Sequence, residues 1–340
     1  MSFDKAEWNS GEGKRFLAMT SFIIGIITIV AIYCILVLAL NIRWGYCGLL
    51  DFGVAGFFLI GAYTSAILIS APSESYLFGV RYTVGYGLSW PIGLIAAAVT
   101  SGFLAFLIGI PTLRLRGDYL AIVTIGVAEI LRYVAINEKW LTRGVQGIRN
   151  IARPFESSFP AASLASDIIL LVLTLSILAL FFIIASRLYT SPFGRVLRAI
   201  REDEVVTSFL GKSVLNFKML TFVLGGIYMG VAGALFAIYT TAIEPYQFIP
   251  TYTFLMWGCL IVGGSGNNWG AILGGALIMG LFVQGTRFLP SIPGQHQLIP
   301  ALRYIAVGIL LIVVLRLRPR GLLPEKAIKT EETGNVNAKS

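Results

Sequence analysis

Nine apolar stretches, at about 16–40, 46–70, 86–111, 119–137, 167–186, 218–241, 252–266, 269–289 and 299–315, take up most of the chain, with short polar links between them. From Phe16 to Leu40, Met219 to Ile243 and Pro245 to Thr286 there is no Asp, Glu, Lys or Arg. A bilayer core about 30 Å thick is crossed by roughly 20 helical residues, so the pattern predicts an all-α polytopic membrane protein of about eight to ten transmembrane or re-entrant helices. The first stretch is longer than a typical signal-peptide core and has no small-residue cleavage site, so it is expected to be retained.

The links carry the charge, and basic residues beside spanning segments favour the cytoplasmic face. Link 187–218 holds Arg187, Arg195, Arg198, Arg201, Lys212 and Lys218, the end of the chain holds Arg316, Arg318 and Arg320, and its start holds Lys5, Lys14 and Arg15. All three are expected on the cytoplasmic side, both termini included. The chain then divides into a cytoplasmic segment 1–15, one transmembrane domain 16–317 and a cytoplasmic tail 318–340.

Two cytoplasmic termini require an even number of crossings, so one of the nine segments has to be irregular. Segment 46–70 is the suspect. It holds Gly48, Gly53, Gly56 and Gly61 with Asp51, and a broken helix is tolerated where protein or a water-filled cavity covers the freed backbone. A glycine-rich packing face accounts for the same residues equally well. Small residues four apart at Gly226, Gly230 and Ala234, and at Gly266, Gly270 and Gly274, let helix backbones approach closely. Trp44, Trp90, Trp140 and Trp269 lie near segment ends, as interfacial anchors do. The polar link 138–166 is expected outside, as part of a docking surface.

Composition narrows the chemistry. Of 340 residues, 56% are apolar and only 13% charged, against about 25% charged in an ordinary soluble domain. That excludes a soluble α/β enzyme. The net charge of +9 comes from clusters beside apolar segments, so it orients the chain and does not point to nucleic acid. Cys34, Cys47 and Cys259 are far apart and His296 is the one histidine, which leaves no metal spacing. Gly211, Lys212 and Ser213 spell the end of a phosphate-binding loop, but the leading position, 206, is valine.

Charges inside hydrocarbon are costly unless paired or hydrated, which makes Asp51, Glu129 and Arg132 notable. Glu129 and Arg132 are three apart on one helix, so they either pair with each other or line a polar pathway. Asp51 either serves a solute pathway or contacts another segment. Neither a mid-membrane acid relay nor a catalytic cluster is present, which counts against an autonomous ion-coupled carrier and a membrane enzyme.

The most informative link is Pro192 to Lys218, PFGRVLRAIREDEVVTSFLGKSVLNFK. Arg195, Arg198 and Arg201 recur at helical spacing, Glu202, Asp203 and Glu204 follow, and Gly211 breaks the run. This predicts an exposed cytoplasmic helix and turn. Such a helix either holds anionic lipid headgroups or docks a cytoplasmic protein.

At this link the chain resembles the permease subunits of bacterial ABC importers for branched-chain and other hydrophobic amino acids, the LivM-type family. The resemblance spans roughly residues 20–320. It rests on GLLDFGVAGFFLIGAYTSA (48–66), PTLRLRGDYLAIVTIGVAEILR (111–132) and GRVLRAIREDEVVTSFLGKSVLNFK (194–218). The resemblance implies a permease in the inner membrane that imports branched-chain or other neutral amino acids by alternating access and does not itself catalyse. It implies a second permease chain, two cytoplasmic ATPases holding the ATP and Mg, an extracytoplasmic solute-binding protein and membrane lipid as partners, with no cofactor in this chain. Arg195, Arg198, Arg201, Glu202, Asp203, Glu204 and Gly211 would couple it to the ATPases. Gly48, Asp51, Gly53, Gly61 and Glu129 are the pathway candidates. The family often has serine or asparagine where this chain has Asp51, and related permeases carry urea and short-chain amides, so the resemblance names the transporter type more firmly than its cargo.

Overall fold

A computed structural model describes residues 11–71, 75–77, 80–82, 85–115, 117–154, 164–285, 298–318 and 321–325. The readings of Lys5, His296, Arg320 and residues 326–340, and those of the Lys14 and Arg15 side chains, lie outside the described residues.

Twelve α-helices are described. They are α1 (Gly11–Leu40, prolonged by a π-turn Asn41–Tyr46), α2 (Val54–Ile69), α3 (Trp90–Thr112), α4 (Gly117–Asn137), α5 (Lys139–Thr142) and α6 (Leu164–Thr190). Then come α7 (Pro192–Glu202), α8 (Glu204–Phe209), α9 (Val214–Thr240), α10 (Pro250–Gly263), α11 (Asn268–Gly275, continuing as a π-helix Ala276–Gln284) and α12 (Leu298–Leu317). Two small antiparallel pairs join β1 (Ser75–Leu77) to β2 (Val80–Tyr82) and β3 (Ile148–Arg149) to β4 (Ala242–Ile243). The helices match the nine apolar stretches because in lipid each segment must satisfy its backbone internally. Among the described residues, five helices are long and apolar enough to cross a membrane.

Helices α1 and α9 form the buried centre. Gly226 and Gly230 of α9 lie against Ala105, Ser101 and Ala97 of α3, and a Cβ on Gly61 of α2 would collide with the Gly230 backbone. Gly270 and Gly274 let α11 lie on Gly263 and Cys259 of α10. Those four glycines are packing contacts, as their spacing predicts. Gly266 is not. It has φ +83° in the turn before α11, a left-handed conformation that suits glycine.

The contacts give each pass a direction. Midway along α1 the helix meets the far end of α9, where a Cβ on Gly25 would lie 3.0 Å from the Tyr239 hydroxyl. At its C-terminal end Arg43 donates to the Phe222 carbonyl near the start of α9 (2.6 Å), and Tyr46 donates to Ala185 near the end of α6 (3.1 Å). Residues 321–325 return to this same end, where Glu325 pairs with Arg201. The start of α1 and residues 321–325 therefore lie at opposite ends of the bundle.

Two of the apolar helices are short: α2 has 16 residues and α10 has 14. Segment 46–70 is broken, as suspected, at residues 48–53. Helix α10 is broken in the sense that it starts at Pro250 after a 3-10 turn Pro245–Gln247, with its Thr253 against Ala55 at the start of α2.

Candidate functional site

Two regions collect the candidate residues: the junction where α2 and α10 begin, and the end of the bundle that carries α7 and α8.

A helix start leaves four N–H groups without intrahelical partners, and α2 starts inside the protein. Two side chains from other helices and one from the segment itself accept from N–H groups here. Phe52 N donates to Thr124 Oγ1 of α4 (3.0 Å), Gly53 N to Asp51 Oδ1 (2.8 Å), and Ala55 N to Thr253 Oγ1 of α10 (3.2 Å). The Trp257 indole N–H of α10 donates to the Asp51 carbonyl (2.9 Å), and its ring stacks on Phe52 at 5.0 Å. The two broken helices thus satisfy each other.

Asp51 is fully buried and forms an ion pair with Arg43, which is equally buried. The Arg43 guanidinium lies between the rings of Phe57 (4.4 Å) and Phe222 (4.0 Å). Gly225 leaves the room it occupies, since a Cβ there would strike the Arg43 side chain. Asp51 is accordingly a structural counter-ion and helix cap, and its assignment to a solute pathway is withdrawn. The departure from serine or asparagine at this position says nothing about cargo. Gly53 is the cap residue of α2 and lines a small cavity with Thr124 and Ala128, whereas Gly61 packs on α9. Arg43, Thr124, Thr253 and Trp257 are the residues that sequence reasoning missed. Arg43, eight positions from Asp51, was the available signal.

Glu129 differs. It accepts two hydrogen bonds from Arg132 Nε (3.1 Å each) and one from Nη2 (2.6 Å), the mutual pairing its spacing allowed. Its side chain is still 27% exposed, on a helix whose outward face also shows Tyr119, Ile122, Ile130 and Tyr133.

At the other region, α7 begins with Pro192 after Ser191, whose hydroxyl caps Gly194 N. Asp203 ends α7 and caps α8, accepting from Val205 N (2.9 Å) and Val206 N (3.0 Å). Gly211, with φ +76°, turns the chain into α9. The seven charged or glycine residues read as one coupling set therefore divide. Arg201 points inward and binds Glu325 (2.7 Å) and the Gly45 carbonyl, and it covers Gly48, whose φ is +72°. Arg198 lies over the Tyr189 ring at 4.3 Å. Glu204 pairs with Lys218 (2.5 Å). Arg195 and Glu202 face outward.

The outward surface of α8 is apolar instead: Val205, Val206, Phe209 and Leu210 are 62%, 55%, 85% and 73% exposed. The signal in the sequence was VVTSFL inside an otherwise charged link.

Residues 22–315 match the family described as branched-chain amino acid transport system / permease component. The high-affinity branched-chain amino acid transport system permease protein LivM of Escherichia coli K12 is 34% identical over 324 residues, covering 88% of this chain and 70% of that protein. The probable branched-chain amino acid transport permease protein LivM of Methanocaldococcus jannaschii is 27% identical, covering 88% and 92%. The ribose import permease protein RbsC of Haemophilus influenzae is 25% identical over 68% of this chain and 76% of its own length. No solved structure matches.

Proposed function

The chain belongs to the permease components of branched-chain amino acid transport systems, and from that premise we propose that it carries branched-chain or other neutral amino acids inward, driven by separate ATPase subunits that bind at α8. It is a multi-pass permease subunit of an importer in the inner membrane.

The observation that carries the docking assignment is the exposed apolar tip of α8. Phe209 at 85% exposure, with Leu210, Val205 and Val206 beside it, forms the kind of patch that marks a protein-binding surface. It projects from a charged helix pair, where a membrane-surface helix would place its apolar residues in lipid only at the cost of burying Asp203 and Glu204 alongside. ATP and Mg belong to the partner subunits in this reading. The end of the bundle with α7 and α8 is cytoplasmic, the start of α1 is external, and β3, β4 and the link around α5 receive a solute-binding protein.

A carboxylate on an outward helix face is unfavourable against lipid. Glu129, with Tyr133 and Ile130, therefore faces a second permease chain and lines the passage between the two. Alternating access in this arrangement needs no covalent chemistry from the chain. Docked ATPases close, α7 and α8 move with them, and the α4 face opens to one side and then the other.

The test is mass-spectrometric identification of what co-purifies with the chain from mild-detergent membranes, in wild type and in Phe209→Asp. A second permease and ATPases retained by wild type and lost in the variant support the reading. Titration of the associated binding protein with leucine, alanine and urea then names the cargo. Homo-oligomers alone, with no ATPase under several detergents, would sink it.

A further inference from the structure

Beyond α12 the chain turns at Gly321, whose φ is +78°, and runs back beneath α7. Leu322 N and Leu323 N donate to the carbonyls of Val262 (2.9 Å) and Gly263 (3.0 Å) at the end of α10. Asn267 Nδ2, just before α11, donates to the Pro324 carbonyl (3.2 Å). Glu325 then spans the remaining gap to the docking segment: one carboxylate oxygen takes Arg201 of α7 (2.7 Å) and the other takes the Tyr189 hydroxyl (2.9 Å). Tyr189 in turn carries Arg198 on its ring. Arg201 reaches past Glu325 to the Gly45 carbonyl in the π-turn that holds Arg43.

One acidic side chain therefore ties α7 to the end of the broken helix α10 and, through Arg201, to the turn that leads into the broken helix α2. The Arg201–Glu325 ion pair and the Arg201 bond to the Gly45 carbonyl are both charge-assisted. Such bonds are short and directional, so a displacement of α7 is handed on and not absorbed by side-chain slack.

We propose that Glu325 is a positioning residue for transport: it makes α7 and α10 move as one, so that closure of the ATPases is converted into movement of the broken helices. The proposal rests on the assignment of α7 and α8 as the ATPase-docking segment. The short stretch Gly321–Glu325, expected from sequence to be the start of a free tail, is in this view a working part of the bundle.

The experiment compares the complete importer, reconstituted in proteoliposomes, in wild type, Glu325→Gln, Tyr189→Phe and the charge exchange Arg201→Glu with Glu325→Arg. Three quantities are read: the ATPase retained by the purified complex, the solute imported per ATP hydrolysed, and hydrogen exchange across residues 192–202. Glu325→Gln should keep its ATPase, lose about tenfold in solute per ATP, a coupling change of ordinary size, and exchange faster in α7. Tyr189→Phe should shift the same quantities less, and the charge exchange should recover at least half of the loss.

Unchanged solute per ATP in Glu325→Gln with ATPase retained would overturn the proposal alone. So would a fall that follows loss of assembled complex in both single variants and is not recovered by the exchange, because that describes a merely structural contact. A wild-type chain that never retains ATPase would overturn the docking assignment, and this proposal with it.

Discussion

Helix α2 enters the middle of the bundle behind Asp51 and Gly53, whereas α10 enters from the opposite end behind Pro245 and Pro250. At α2 the freed N–H groups are present and must be answered, by Asp51, Thr124 and Thr253. At α10 the first helical residue is proline, which has no N–H to answer and already holds a helical φ. A carboxylate brought indoors to cap α2 then needs a cation, which Arg43 supplies, and the cation needs room, which Gly225 supplies. One break draws in half the bundle. At the other, Tyr252 N finds its acceptor within the same segment, the Ile249 carbonyl (3.1 Å).

That difference can be broken most directly at Asp51. Asp51→Asn keeps an oxygen for Gly53 N but leaves the Arg43 charge buried and unpaired, a loss of about 3–5 kcal/mol. It should appear as a large drop in the thermal midpoint of the detergent-solubilised protein. Replacing both partners at once, Arg43→Met with Asp51→Leu, should be milder than Asp51→Asn. A single variant as stable as the parent would mean that the pair is not a lock.

Next in size is Thr253→Val, which strips the acceptor from Ala55 N at the meeting point of the two helices. About 1–3 kcal/mol is expected for a buried donor left without a partner, measured in the same melt. Pro250→Ala should cost less, roughly 0.5–1 kcal/mol, through a looser unfolded chain and one added N–H at a half-buried site. If it proved as harmful as Asp51→Asn, the contrast between the two breaks would fail.

The smallest effect belongs to Arg149→Ala on the approach to α10. Its partner Glu244 lies 3.7 Å away and the side chains are 63% and 41% exposed, so less than about 0.5 kcal/mol is at stake. Melting within error of wild type would place the demand for charge pairing at α2 and not at the α10 side.

Much of this was legible beforehand. The nine apolar stretches, the helix and turn in 192–211, the packing glycines of α9 and α11, and the irregularity of 46–70 all follow from residues near one another in the chain. The break before α10 was legible only in part. Its prolines mark helix starts, but an apolar run from 252 to 266 reads the same whether it spans a membrane or begins halfway. Within the α7–α8 link, residue type was misleading: Arg201 looked exposed because it is charged, and Phe209 drew no notice because it is apolar.

By itself, the sequence determined that this protein is a bundle of membrane helices with one projecting charged link. The reason is that lipid requires apolar side chains and internally satisfied backbone, and both are local properties. Only the tertiary structure decided that Arg43 neutralises Asp51, that Glu325 reaches back 124 residues to Arg201, and that the start of α1 lies at the opposite end from residues 321–325. A buried charge accepts whichever partner the fold brings within about 3 Å, and that choice is made in space and not along the chain.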